Sequence, residues 1–314
     1  MDIVFGPVPS RRLGRSLGIN HIPAKHCSYS CRYCQVGPTR QPEIVRHAFH
    51  APEVVCREVA ERVAMLRKHG EAVDYLTFVP DGEPSLDIHL GHLIDGLRPL
   101  GLPIAVISNA SLIWREDVRA ELARADWVSL KVDSVDSAIW RALNRPHPSL
   151  ELSAILDGIR AFAAGYRGTL VSETMLVAGV NDDTAGVEAV AGFLEQVGIR
   201  LAYLAIPRRP PADPLVGCPD EAVVTRAWHA FAQRLERVEL LTAYEGDAFP
   251  PLDDPRGQLL AITAVHPMRE SAVRALLIRA GMDLAVLEDL LDSGALRRVS
   301  HAGEVFYVRR LRMD

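Results

Sequence analysis

Nowhere in the 314 residues does an apolar run approach the roughly 18 residues that a membrane span needs, so no membrane partner is expected. The opening MDIVFGPVPSRR lacks the basic-then-apolar order of a signal peptide. The expected compartment is therefore the cytoplasm, where thiols stay reduced. An excess of basic charge is also missing: 35 Lys and Arg against 40 Asp and Glu leave a net charge of -5. That balance argues against a general nucleic-acid binder, because phosphate binding needs a positive field, although a local basic face remains open. No internal repeat and no low-complexity tract stand out. Cysteine is scarce and odd in number, at five. Three of them, Cys27, Cys31 and Cys34, fall within one short stretch, which in a reducing compartment reads as metal binding rather than disulfide pairing.

What is present is ordinary for a globular protein: 48% hydrophobic and 24% charged residues. The length admits one α/β domain of about 250 residues plus a small appendage. Met1 to Pro23 reads as a lead-in punctuated by Gly, Pro and Arg, ending in the apolar run Leu17 to Ile22. Strand-like runs then recur at Tyr75 to Val79, Ile104 to Ile107, Trp127 to Val132, Thr169 to Val177 and Leu201 to Ile206. Helical spacing separates them over 51–68, 88–97, 115–124, 152–163 and 184–197. Six strand-then-helix units imply a parallel sheet with helices outside it. The fold class expected is α/β, an incomplete (β/α)6 TIM-like barrel, with its chemistry at the C-terminal ends of the strands. The barrel is expected over 1–248 and a linker over 249–256. Residues 257–314, with three short helical stretches and the pair Leu296 to Ser300 and Glu304 to Arg309 around a turn, outline a small winged-helix module.

The cysteines stand as His26-Cys27-Ser28-Tyr29-Ser30-Cys31-Arg32-Tyr33-Cys34, a C-x3-C-x2-C spacing. Three thiolates on one loop can hold three corners of a 4Fe-4S cube and leave the fourth iron open to an exogenous chelator. A structural zinc, the alternative, would need a fourth ligand such as His26 and usually shows paired C-x2-C elements.

This loop, with the aromatic Tyr33 before the last cysteine and its place after the first strand-like run, resembles the signature of the radical S-adenosylmethionine superfamily. The resemblance covers roughly Leu17 to Pro207. The longer stretch FGPVPSRRLGRSLGIN with CSYSCRYCQ resembles a less characterised branch described broadly as iron–sulfur oxidoreductases. The resemblance implies two cofactors, a 4Fe-4S cluster on Cys27, Cys31 and Cys34, and S-adenosylmethionine. It implies reductive cleavage to a 5′-deoxyadenosyl radical that abstracts hydrogen from an unidentified substrate, with a peptide, a protein or an RNA in view. A reductant such as flavodoxin or ferredoxin is the implied partner.

Site residues follow from the same resemblance. Asp81-Gly82-Glu83-Pro84 stands where the superfamily has a Gly-Gly-Glu-like element that contacts the methionine amino group. Gly82 and Glu83 match; Asp81 departs from the first glycine and puts that part of the contact in doubt. Asp-Gly also marks plain turns. Ser108, Asn109, Lys131 and Asp133, at the ends of the third and fourth strands, are implied for ribose and carboxylate. Tyr33 and Ile206 are implied near adenine. Any of these polar groups can instead satisfy local backbone. Glu173 lies in the fifth strand, and alternation leaves its direction open. Arg11 and Arg12, with Arg15, form a basic cluster suited to an anionic substrate or to a solvated surface. Cys56 reads as a buried helix residue, Cys218 as a loop thiol, and His21 and His26 as structural hydrogen-bonders.

The tail carries Arg297, Arg298, Arg309, Arg310 and Arg312 near its hairpin, but Leu284 to Asp292, in the place of a recognition helix, is acidic. A non-catalytic iron–sulfur sensor binding nucleic acid through this tail is the rival reading.

Overall fold

The computed structural model describes residues 3–242, 249 and 254–310. An eight-stranded sheet runs in chain order, β1 (Val4–Ser10), β2 (Gly14–Ile19), β3 (Tyr75–Phe78), β4 (Ile104–Ser108), β5 (Trp127–Lys131), β6 (Thr169–Met175), β7 (Leu201–Ala205) and β8 (Arg237–Leu241). β1 and β2 form an antiparallel hairpin; every later neighbour pair is parallel. The crossovers carry α1 (Pro52–Lys68), α2 (Leu90–Leu97), α3 (Glu116–Leu122), α4 (Ser137–Asn144), α5 (Leu152–Gly165), α6 (Thr184–Val197) and α7 (Glu221–Ala232). The order is that of an incomplete TIM-like barrel, curled and open, as the alternation of strands and helices predicts.

Three elements depart from the expectation. The lead-in contains a strand, β1, despite Gly6, Pro7 and Pro9; its register shifts between Phe5 and Val8, and an edge strand tolerates prolines there. An eighth strand, β8, extends the parallel run by one. Helix α4 fills the interval between β5 and Leu152, with the Asp136 side chain accepting from the Ala138 and Ile139 amides at its start.

Alternation along the strands sorts the residues into two environments. Ile104, Val106, Val128 and Leu130 face the helices and join the main core. The opposite face makes the barrel interior. Leu13, Ala105, Trp127, Val171 and Tyr203 form one buried apolar cluster that floors it. Further along the same strands Ile107, Lys131, Glu173 and Ala205 line a cavity instead.

Residues 254–310 fold as α8 (Pro255–Val265), β9 (Met268–Arg269), α9 (Glu270–Arg279), α10 (Ala285–Asp292), β10 (Leu296–His301) and β11 (Glu304–Arg309). The last two form a hairpin, and β9 adds to its β11 edge. Of the stretch expected as a linker, Phe249 is buried, Asp254 caps α8 through the Gly257 amide, and Pro255 and Arg256 already belong to that helix. Residues 250–253, and Arg312 of the basic group, lie outside the described residues. The module shares a core with the barrel's first strand: Phe5 and Val8 pack among Leu259, Ile262, Met268 and Leu276. Polar contacts add to the docking, from Gln35 Nε2 to the Val265 carbonyl (2.9 Å) and between His301 Nε2 and the Pro207 carbonyl (2.8 Å). Among the described residues no helix is long and apolar enough to cross a membrane.

Candidate active site

The parallel strands all end on one rim, and the sequence-predicted residues meet there. The cysteine loop follows β2, Asp81-Gly82-Glu83 follows β3, Ser108 and Asn109 end β4, Lys131 and Asp133 end β5, and Ile206 follows β7.

The three thiols of the loop are half-buried and free. Each has a nitrogen donor: Asn109 Nδ2 lies 3.5 Å from Cys27 Sγ, Asn144 Nδ2 lies 3.4 Å from Cys31 Sγ, and Lys25 Nζ lies 3.7 Å from Cys34 Sγ. N–H donors to sulfur are a standard means of tuning a cluster's potential. Burial pushes the Cys31 thiol up to about 12 and raises that of Cys27 as well, so these two stay protonated when bare, and an iron site is what would hold them as thiolates. His26, the fourth ligand a zinc site would call on, instead directs Nδ1 to Glu43. Among the described residues no group of three or more His, Cys, Asp or Glu is gathered for a single metal ion.

The turn after β3 is laced to this loop by backbone. The Glu83 amide donates to the His26 carbonyl (3.0 Å) and the Lys25 amide to the Asp81 carbonyl (3.0 Å). A Cβ on Gly82 would sit 1.8 Å from that His26 oxygen, so the glycine is there for close approach. The Glu83 carboxylate is buried and accepts from the Ser85 amide (3.1 Å), Ser85 Oγ (2.6 Å), Ser108 Oγ (2.7 Å) and the Asn109 amide (2.7 Å). It thus joins the ends of β3 and β4. Asp81 turns inward to Asn20, whose Oδ1 accepts from the Asp81 amide (2.9 Å).

Lys131 and Asp133 anchor a second group. Asp133 accepts from Tyr33 Oη, from Asn144 Nδ2 (2.8 Å) and from the Met175 amide (2.8 Å). Lys131 Nζ lies 4.9 Å above the centre of the Tyr33 ring, 3.7 Å from Asp133 and 3.1 Å from Glu173. Glu173, whose direction the sequence leaves open, faces the interior and also pairs with Arg12. Burial by itself would raise the Glu173 carboxyl, but Lys131 and Arg12 outweigh it and hold it at about 2. Arg11, next in sequence to Arg12, is exposed at the β1–β2 turn, and Arg15 pairs with Asp74 (2.9 Å) on the outside. Of the basic cluster, Arg12 alone lines the cavity. His21 is fully buried, edge-on to Phe78, and burial lowers it to about 4. Cys56 is half-buried in α1, and Cys218 donates to the Pro207 carbonyl (3.3 Å).

Asn144 is the side chain beside the cysteine loop that motif reading missed, and Glu173 is the one whose direction it left open. Asn144 ends a helix that was not foreseen. Alternation alone does not orient Glu173; the structure turns it to the interior.

Replacing Glu173 with Gln leaves Arg12 without its carboxylate partner and Lys131 with Asp133 alone in a largely buried site. The expected cost is about 3 kcal/mol, measured by urea unfolding at pH 7. A carboxylate held below its ordinary pKa gives stability that is complete above pH about 4.5 and fades as pH falls toward 2. The gap between wild type and E173Q should therefore shrink over that window. A gap of constant size would contradict the pairing.

Tyr33, Cys34, Lys131, Glu173 and Ile206 open on a common cavity of about 280 Å³, whose opposite wall comes from the C-terminal module.

Comparison with known proteins agrees with this geometry. The family model described as the radical SAM superfamily matches residues 21–187. A UPF0026 protein of Methanocaldococcus jannaschii is 43% identical over 314 residues, covering 99% of this chain and 97% of its own. A UPF0026 protein of Helicobacter pylori is 34% identical over 211 residues, covering 66% of this chain and 67% of its own. In fold, the chain is similar to a radical SAM methyltransferase from Sphaerobacter thermophilus, with TM-score 0.54 and 16% identity over 73% of this chain and 66% of that one. Members of the superfamily are enzymes that use a 4Fe-4S cluster and S-adenosylmethionine. The rim of strand ends, the cysteine loop and the matched model together establish that this chain belongs to the radical SAM superfamily, among the UPF0026 proteins.

Proposed function

We propose that Cys27, Cys31 and Cys34 hold a 4Fe-4S cluster at the barrel rim and that S-adenosylmethionine binds beside it, facing the substrate cavity. The observation that carries this reading is the trio of thiols on one loop, each beside a nitrogen donor, with Cys34 opening on the cavity. When bound, the pair supplies the hard step: one electron from a reductant such as flavodoxin or ferredoxin splits a carbon–sulfur bond, giving methionine and a 5′-deoxyadenosyl radical that takes hydrogen from the substrate.

The chain's own residues bind and orient. Asn109, Asn144 and Lys25 support the sulfurs. Glu83 and Asp133, already saturated by protein donors, act as positioning residues, fixing the strand ends and the Tyr33 ring. Gly82, Ser108, Asn109 and Lys131 present polar groups for the methionine end and the ribose, and Ile206 an apolar face for adenine. The apolar floor under Lys131 and Glu173 excludes water from below. We assign the tail, by its helix and hairpin order, to the winged-helix class, and the protein to the reducing cytoplasm, where its unpaired thiols persist.

Anaerobic reconstitution tests the reading. The expected result is about four irons and four sulfides per chain, followed by 5′-deoxyadenosine from S-adenosylmethionine and dithionite. A stoichiometric zinc in the loop, or an iron–sulfur protein with no affinity for S-adenosylmethionine, would overturn it.

A further inference from the structure

The residue that follows the last cysteine of the loop spends its side chain on distant parts of the chain. Gln35 Nε2 donates to the Val265 carbonyl (2.9 Å) in the C-terminal module, and Gln35 Oε1 accepts from Arg209 Nη1 (2.9 Å) on the segment after β7. Val265 is buried and is the last residue of α8. The final carbonyls of a helix have no amide ahead of them in the same helix, so their partners must come from elsewhere. The His266 amide closes on the Ile262 carbonyl (2.8 Å); the Val265 carbonyl is met by Gln35. At its other end Gln35 belongs to tightly turned backbone. The Cys34 amide donates to the Cys31 carbonyl (3.1 Å) and the Gly37 amide to the Cys34 carbonyl (3.2 Å). A displacement of Gln35 therefore turns the backbone that carries Cys34. A second tether, His301 Nε2 at 2.8 Å from the Pro207 carbonyl, joins module and barrel away from the cysteine loop. Gln35 and Pro207 both line the cavity, which the module completes with Met268 and Phe306.

We infer that Gln35 is a positioning residue that couples the cluster loop to the C-terminal module, so that filling the loop and docking the module stabilise each other. The inference rests on the proposed function, since it takes the cluster to sit on Cys27, Cys31 and Cys34. Without iron, Cys34 is held by its turns and by a 3.7 Å contact from Lys25 Nζ. A cube bonded to all three sulfurs holds it more rigidly, and with it the residue one position on. A Gln35 already fixed at its backbone has less freedom to lose when its long side chain meets Val265. Coupling of this kind is reciprocal: the factor that the docked module adds to cluster retention is the factor that the cluster adds to docking. The far wall of the cavity is thereby held most firmly when the loop is loaded, which is when the site has most need to keep water and side reactions out.

The test is hydrogen exchange over residues 258–266 of the full chain, the C-terminal part of α8 and its cap, compared between apoprotein and anaerobically reconstituted protein. In the wild type, loading should slow exchange there by about 10-fold, the lower end of the effects that follow when a contact supporting a metal ligand is removed. A challenge with an iron chelator reads the other side of the same cycle, and Q35A should give up its iron about 10-fold more readily. In Q35A the effect of loading on exchange should vanish. Q35E decides which partner matters, because a carboxylate still accepts from Arg209 but cannot donate to Val265; it should behave as Q35A does. H301A cuts the other tether and should keep the loading effect. Melting temperatures of the apoproteins show that the variants fold. Exchange over 258–266 that ignores loading in the wild type, a loading effect that survives in Q35A or Q35E, or its equal loss in H301A would overturn the inference. Iron, sulfide and deoxyadenosine formation on the wild-type samples keep the two readings apart. A loop that takes up no cluster fails both; a loaded, active protein with indifferent exchange in α8 fails this one alone.

Discussion

Alanine at Cys27, Cys31 or Cys34 is expected to leave the protein folded but without its cluster, and to lower deoxyadenosine formation by more than about 100-fold. That bound follows from the 10–100-fold losses typical when a mere supporting contact to a metal ligand is removed; loss of the ligand itself should exceed them. A cube held by two thiolates has two open irons and no fixed place on the loop. The comparison that gives the result meaning is Cys56 and Cys218. Neither belongs to the loop: one sits in α1, and the other donates to a backbone carbonyl. C56A and C218A should keep full iron content and turnover. Iron, acid-labile sulfide and the visible absorption of the reconstituted proteins are the measurements. Equal iron loss in C218A would move the cluster out of the loop and sink the assignment.

Gly82→Ala should be nearly as damaging although it removes no ligand. One methyl group there would meet the His26 carbonyl oxygen at 1.8 Å, and the obstacle is backbone, held by the Glu83 amide. His26 is the residue before the first cysteine, so any relief moves the cysteine loop. Overpacking of this kind costs about 3 kcal/mol. Functional geometry, however, tolerates only about 0.5 Å. The expected outcome is a modest fall in melting temperature with a disproportionate loss of cluster occupancy and of S-adenosylmethionine affinity. A variant that melts lower yet binds iron and S-adenosylmethionine like wild type would show that the lacing between turn and loop is merely structural.

Much of this was legible in sequence. The six strand-like runs correspond to β2 through β7, because parallel strands buried on both faces are written as unbroken apolar stretches. The cysteine loop was legible from residue type and spacing, and the Asp81-Gly82-Glu83 turn through its resemblance to the superfamily's element. What escaped did so for physical reasons. β1 is an edge strand, where Pro7 and Pro9 can sit although they read as breakers. α4 is short, eight residues, and leans on an aspartate cap and on Trp140 and Leu143 rather than on a long periodic stripe. With it went Asn144, whose amide touches Cys31, Tyr33 and Asp133 at once. Arg11 and Arg12 read alike in sequence, but a hairpin turn sends one to solvent and the other to Glu173. Contacts made between strands distant in the chain carry no local signature.

The buried apolar cluster of Leu13, Trp127, Val171 and Tyr203 gives the barrel a sealed apolar bottom. Whatever reacts above it is met from below by hydrocarbon and rings. Shelter for a short-lived, highly reactive species is therefore written into the two-residue rhythm of the strands, before any lid or partner is called upon.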